Sequence, residues 1–123
     1  MLSSYEIARL AVKALDDKMA RDIQILKTDK VTVLADYFII CTATSDTHAK
    51  TLADETDKLL DQAGEHVLRR EGYRSGGWTL LDFGCVIVHV FSDEARKFYD
   101  LERLWHDAET VDLTGILQQE PQN

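Results

Sequence analysis

The chain has 123 residues, 45% of them hydrophobic, and carries 22 acids against 14 bases for a formal net charge of -8. That length builds one domain around one core. Counterion-release binding needs clustered cations, so the acidity argues against nucleic acid or anionic lipid as a partner for the whole surface. Basic protein partners suit it better, because charge complementarity speeds encounter and selects among partners. The sequence contains no apolar run long enough to span a bilayer. Glu6, Asp16 and Asp17 near the N-terminus suit neither a secretory nor a transit peptide, so a cytoplasmic protein without a membrane partner is expected.

Ser3-x-x-Glu6 has the form of a capping box, and Ile7, Leu10, Ala11, Ala14 and Leu15 follow at helical spacing, which predicts a first helix ending near Ala20. Ile23 to Leu26 and Tyr37 to Thr42 read as strands, the second an almost unbroken apolar run of the kind buried on both faces. Thr28 to Asp36 connects them without a predicted form. From Asp46 to Ala63, Leu52, Ala53, Thr56, Leu59 and Leu60 alternate with Lys50, Asp54, Asp57 and Lys58 as an amphipathic helix. Gly64 stands where such a helix stops, and Glu65 to Arg70 returns as a strand.

Trp78 to Asp82 and Cys85 to Phe91 flank Phe83-Gly84 as a hairpin with a two-residue loop. Pairing Asp82 with Cys85 would set Trp78 opposite His89 and Leu80 opposite Ile87 on one face, with Thr79, Leu81, Val86 and Val88 on the other. Asp93 to Trp105 reads as a helix or two short helical turns, its acids at the N-terminal end where the dipole favours them. The chain turns polar after Val111, so a single domain over residues 1–113 and a disordered tail over 114–123 are expected. Helices alternating with strands, plus a hairpin, predict an α/β fold with a mixed β-sheet flanked by helices.

Cys41 and Cys85 lie in apolar runs and lack the spacing of a disulfide framework or zinc site, so both read as buried reduced thiols. The four histidines, at positions 48, 66, 89 and 106, form no local metal pattern. His89, inside an apolar strand, reads as a hydrogen-bonded core or edge histidine. Gly72 to Gly77 lacks the Lys-Ser/Thr ending of a phosphate-binding loop, while Arg69, Arg70 and Arg74 form a local cationic stretch that could touch a phosphate backbone, a solvated loop being the plain alternative. Asp36 and Asp82 lie at strand ends, and their meeting in space is the one carboxylate arrangement that would suit metal-dependent nucleotidyl transfer. No other catalytic group or cofactor site emerges.

Residues 93–112 hold seven acids against three bases, and Phe98-Tyr99-Asp100-Leu101-Glu102-Arg103-Leu104-Trp105 packs two large aromatics, a paired acid and base and a closing Trp into eight residues, types that concentrate at interfaces. On a continuous helix Tyr99, Glu102 and Arg103 would share one face, and Phe98, Leu101 and Trp105 a second, more buried stripe.

At these residues the sequence resembles the Iojap family of ribosomal silencing factors. The resemblance rests on Ala35-Asp36-Tyr37-Phe38-Ile39-Ile40-Cys41, Thr44-Ser45-Asp46, Gly77-Trp78, Leu81-Asp82-Phe83-Gly84, Val88-His89-Val90-Phe91 and the Phe98 to Trp105 run, in family order. It implies a nucleotidyltransferase-like fold used without transferase activity, metal or cofactor. It also implies binding to the large ribosomal subunit through its protein fourteen, with joining to the small subunit blocked during nutrient limitation or stationary phase. Trp78, Tyr99, Asp100, Glu102 and Arg103 are carried over as partner contacts, with Asp82 and His89 as secondary candidates. Two departures stand out: Cys85 where the family often has an acid, and His106 where a small residue is common. A homodimer is implied as well, which edge pairing of the Cys85 to Phe91 strand could support. A nucleotidyltransferase retaining activity is the alternative.

Overall fold

The computed structural model describes residues 2–72 and 77–117. In chain order they form α1 (Ser4–Asp17), β1 (Arg21–Lys27), β2 (Tyr37–Thr42), α2 (Asp46–Gln62), β3 (Arg69–Glu71), β4 (Trp78–Asp82), β5 (Val86–Phe91), α3 (Asp93–Tyr99), α4 (Leu101–Leu104), β6 (Glu109–Val111) and α5 (Thr114–Leu117). The strands make one mixed sheet in the order β3-β4-β5-β2-β1-β6. Only the central pair, β2 with β5, is parallel.

Local chemistry starts and stops the helices as expected. The Ser3 hydroxyl accepts from the Glu6 amide while the Glu6 carboxylate accepts from the Ser3 amide, so the capping box opens α1. Ser45 and Ser92 cap α2 and α3 through the amides of His48 and Ala95. Gly64 adopts a left-handed φ of +91° just past α2.

Every residue of β2 is buried, which makes the sheet the middle of three layers. Tyr37, Ile39 and Cys41 point into a cluster with Ile7, Ala11 and Leu15 of α1 and Leu52, Ala53 and Leu60 of α2. Phe38 and Ile40 point the other way, into a cluster with Phe91, Ala95 and Leu101, against which Trp78 and Trp105 pack. The two-residue period of the strands therefore sends alternate side chains of β4 and β5 to different layers. Burial pushes the Cys41 thiol up to about 12, so it stays protonated. Cys85 is only half-buried, contrary to expectation, and both thiols are unpaired.

The hairpin register differs from the predicted one by two residues. Asp82 pairs with Ile87, Leu80 with His89 and Trp78 with Phe91. The loop is longer because Cys85 is committed elsewhere: its carbonyl accepts from the amides of Asp36 and Tyr37, and Phe83 closes the turn by donating to the Val86 carbonyl. A two-residue shift leaves side chains on their original faces, so the predicted face assignment survives the error. Because β5 lies between β4 and β2, its edges are already paired, and the expected dimerisation through that strand is excluded. The free edges belong to β3 and β6, each three residues long.

The chain also stays on the body into the expected tail. Just before it β6 pairs with β1, and within it Ile116 of α5 is 0% exposed in the α1–α2 cluster. The rest of the expected tail, residues 118–123, lies outside the described residues, as does Arg74.

Candidate partner-binding face

Parallel strands end together. β2 and β5 deliver Thr42 and Phe91 side by side, and the Ala43 amide donates to the Phe91 carbonyl at 2.8 Å. The next residues, Ser45 and Ser92, cap α2 and α3, so two helix N-termini emerge at one end of the sheet. Trp78 arrives at the same end by pairing with Phe91. The Ser92 amide donates to the Gly77 carbonyl at 2.7 Å, fixing that approach. Gly77 has a φ of +70°, and a Cβ there would lie 2.3 Å from the Ser92 hydroxyl oxygen, so only glycine admits this crossing.

Aromatic rings cover the α3 side of this end. Trp78 lies 4.5 Å from Tyr99, 5.1 Å from Phe91 and 5.8 Å from His89 between ring centroids. Phe98 meets Tyr99 edge-on at 5.0 Å, and Phe38 meets both His89 and Trp105 edge-on beneath. The Trp78 indole N–H donates to Nδ1 of His89 at 3.1 Å.

Of the two expected forms, one helix or two short turns, the chain takes the second, breaking at Asp100, whose φ of +49° is left-handed. The break rotates the two halves and reverses the expected exposure: Phe98 is 80% exposed, whereas Glu102 turns inward. Arg96 receives it. Its guanidinium donates twice to Glu102 Oε2, at 2.9 and 2.7 Å, and also to the Asp22 carbonyl at 2.6 Å and the Thr42 hydroxyl at 2.9 Å. Asp22, in the irregular stretch of β1, is itself left-handed with a φ of +50°. The fork therefore ties down Asp22 through its carbonyl and the turn after Asp100 through Glu102, two places where a left-handed non-glycine residue costs roughly 1 to 3 kcal/mol.

The predicted site residues separate on this geometry. Trp78, Tyr99, Asp100, Glu102 and Arg103 come together. The Asp100 carboxylate and the Arg103 guanidinium make no side-chain hydrogen bond or ion pair among the described residues. Glu102 belongs to the support rather than the outer surface. His89, 4% exposed, lies beneath Trp78. Asp82 is at the opposite end of β4, where its carboxylate accepts from the Gly84 amide. Sequence reasoning missed Arg96, whose role depends on contacts with Asp22 and Thr42, far away in the chain. It also placed Phe98 in the core because helical spacing cannot announce a left-handed residue.

Asp36 accepts from the Ser4 hydroxyl, and Asp82 is engaged separately at its own turn. Among the described residues, no three His, Cys, Asp or Glu side chains gather as a metal site. Arg70 pairs with Asp54 and Asp57 at 3.0 and 3.3 Å, and Arg69 pairs with Glu71 at 2.8 Å, so their charges face carboxylates. No helix among the described residues is long and apolar enough to cross a membrane.

A mixed sheet flanked by helices, with an aromatic face at the carboxyl ends of its parallel strands, defines a small α/β domain. Comparison with known proteins gives its family. The profile described as "Ribosomal silencing factor during starvation" matches residues 2–123, and the chain belongs to that family. It is 40% identical over 116 residues to the ribosomal silencing factor RsfS of Halalkalibacterium halodurans, covering 94% of this chain and 99% of the relative. The RsfS of Bacillus subtilis is 39% identical over 112 residues, with 91% and 95% covered. A crystal structure from Chromobacterium violaceum superposes with a TM-score of 0.83 at 39% identity, covering 85% of this chain and 88% of that one.

Burial lowers the His89 pKa to about 4 from its ordinary value near 6.5. Nδ1 already accepts from Trp78, so the neutral ring carries its proton on Nε2, which has no hydrogen-bond partner among the described residues. The unfolded chain takes up a proton first as pH falls. Stability from the neutral ring is therefore complete above about pH 6.5 and declines towards pH 4, by roughly 3 kcal/mol in all. Urea unfolding between pH 4.5 and 7 should show a shallower pH dependence for His89→Gln than for the unaltered protein; parallel curves would contradict the assignment.

Arg96→Gln should lower unfolding free energy by about 2 to 3 kcal/mol in urea, because it leaves Glu102 and the Asp22 carbonyl without their donor. Arg96→Lys should recover only part, since an ammonium cannot reproduce the fork. A loss below about 0.5 kcal/mol, the range of an ordinary surface change, would contradict the clamp.

Proposed function

We propose that this chain is a noncatalytic silencing factor that binds the large ribosomal subunit through its protein fourteen. Bound there, it blocks joining with the small subunit during nutrient limitation or stationary phase. Family membership carries this reading. Support comes from the exposed Tyr99 on its Trp78 platform, flanked by the unengaged Asp100 and Arg103, an arrangement suited to recognition. The work is done by occupancy: a protein seated where the subunits meet makes their association incompatible with its own binding, and its concentration sets the effect. No cofactor is required. The protein works in the cytoplasm and self-associates as a homodimer through a surface other than the flanked strand β5.

A net charge of -8 favours a cationic ribosomal protein over direct attachment to RNA. Arg69 and Arg70, facing carboxylates, make at most a peripheral RNA contact, joined by Arg74.

Sedimentation with isolated subunits tests the proposal. The protein should co-migrate with large subunits, stay away from small ones, and prevent joining when small subunits are added afterwards. Tyr99→Ala together with Arg103→Ala should weaken large-subunit binding at least tenfold, the scale of a lost interface anchor. Absence from large subunits, or normal joining with the protein bound, would overturn the function; undiminished binding by the double variant would overturn the assigned face.

A further inference from the structure

Phe98 has no structural employment that accounts for its position. It is 80% exposed, more than any other described aromatic side chain, yet its ring is oriented by edge-on contact with Tyr99. It stands as a ridge between two hollows. The one of about 590 Å³ is lined by Asp46 and Glu94 as well as Phe98 and Tyr99. The other, about 560 Å³, is lined by Lys97, Asp100, Arg103 and Leu104 beside the same two aromatics. Leu104 is itself 66% exposed.

The charges around this ridge are uneven: the charged residues of the first hollow are both acidic, whereas the second sets Lys97 and Arg103 beside Asp100. Asp46 and Glu94 come from the first turns of α2 and α3, brought together by the parallel strands that precede those helices. Lys97 and Arg103 lie across the ring. Lys97 has only an exposed carboxylate, Asp93, at 3.8 Å, a pairing of little strength at the surface. An apolar knob with an acidic flank on one side and a mixed flank carrying both cations on the other specifies a partner more narrowly than overall negative charge does.

We infer that Phe98 is the anchor of the interface, inserting into an apolar pocket on a folded protein that presents cations towards Asp46 and Glu94 and an acid towards Arg103. The inference rests on the large-subunit reading above and names the surface chemistry of the partner at that site. A protein fits better than RNA because Asp46, Glu94 and Asp100 surround the ring and would repel a phosphate backbone, while Lys97 and Arg103 are too few to outweigh them. Exposed aromatics that become desolvated at an interface centre carry a disproportionate share of affinity.

The experiment is equilibrium binding of the full chain to isolated large subunits, with thermal unfolding of each variant alongside. Phe98→Ala should weaken binding about 30-fold, the scale of a truncated hot spot, with an unchanged unfolding temperature because the ring is largely in solvent. Phe98→Leu should recover a substantial part. Glu94→Lys and Arg103→Glu should each weaken binding about tenfold, since each reverses one flank.

Wild-type affinity in Phe98→Ala, with Tyr99→Ala still weakened, would overturn the anchor while leaving the large-subunit reading intact. Tighter binding by Glu94→Lys with a steeper loss on adding salt would identify a phosphate-rich partner and overturn the protein pocket. Failure of the unaltered protein to bind large subunits would remove both readings together.

Discussion

The parallel pairing of β2 with β5 is the constraint from which the candidate face follows. Parallel neighbours carry the chain out of the sheet at the same end, so the segments leading into α2 and α3 must start beside each other. Burial on both faces fixes that pair, because moving β2 by one residue would turn Ile39 and Cys41 out of one cluster and Phe38 and Ile40 out of the other. The carboxyl ends of parallel strands are where open α/β sheets commonly place their binding sites, and here the space is filled by Trp78, Tyr99 and Phe98.

Arg96 converts this general position into a specific shape. Its guanidinium is only 13% exposed and connects α3 to Glu102, to Thr42 at the end of β2 and to the irregular stretch of β1. The left-handed turn at Asp100 ends α3 and starts α4, so the segment takes the two-turn form rather than one continuous helix. A partly buried ion pair adds little net stability by itself, because desolvating both groups opposes their attraction. Its effect here is geometric: it favours one arrangement of Tyr99, Asp100 and Arg103 among those a short helical segment could adopt.

Much of the fold was legible because its signals were local. The Ser3–Glu6 capping box, the apolar run of β2 and the amphipathic spacing of α2 each depend on neighbours within a few residues. Register was not local. Cys85 opens the hairpin because its carbonyl serves Asp36 and Tyr37 from another strand, and no pattern within residues 78–91 contains that information. Short elements escaped for a similar reason: β6 has three residues and α5 four, and each is stabilised by what it packs against rather than by periodicity. For the candidate face, residue types pointed to Trp78, Tyr99, Asp100 and Arg103, which the fold gathers at one end of the sheet, while Arg96 became visible only through its distant acceptors. Asp46 joined the surface only once the sheet brought two helix starts together.

The central claim is that the end of the sheet bearing Trp78 and the Tyr99–Arg103 turn is the surface that meets the ribosome. Amide hydrogen exchange of the intact chain, with and without isolated large subunits, tests it without altering a residue. The account predicts slowed exchange concentrated in residues 94–105 and at Trp78, with little change in the β1–β2 connection around Val33 and Leu34, which is exposed at the other end of the sheet. Protection concentrated around Val33 and Leu34, with residues 94–105 unchanged, would contradict it.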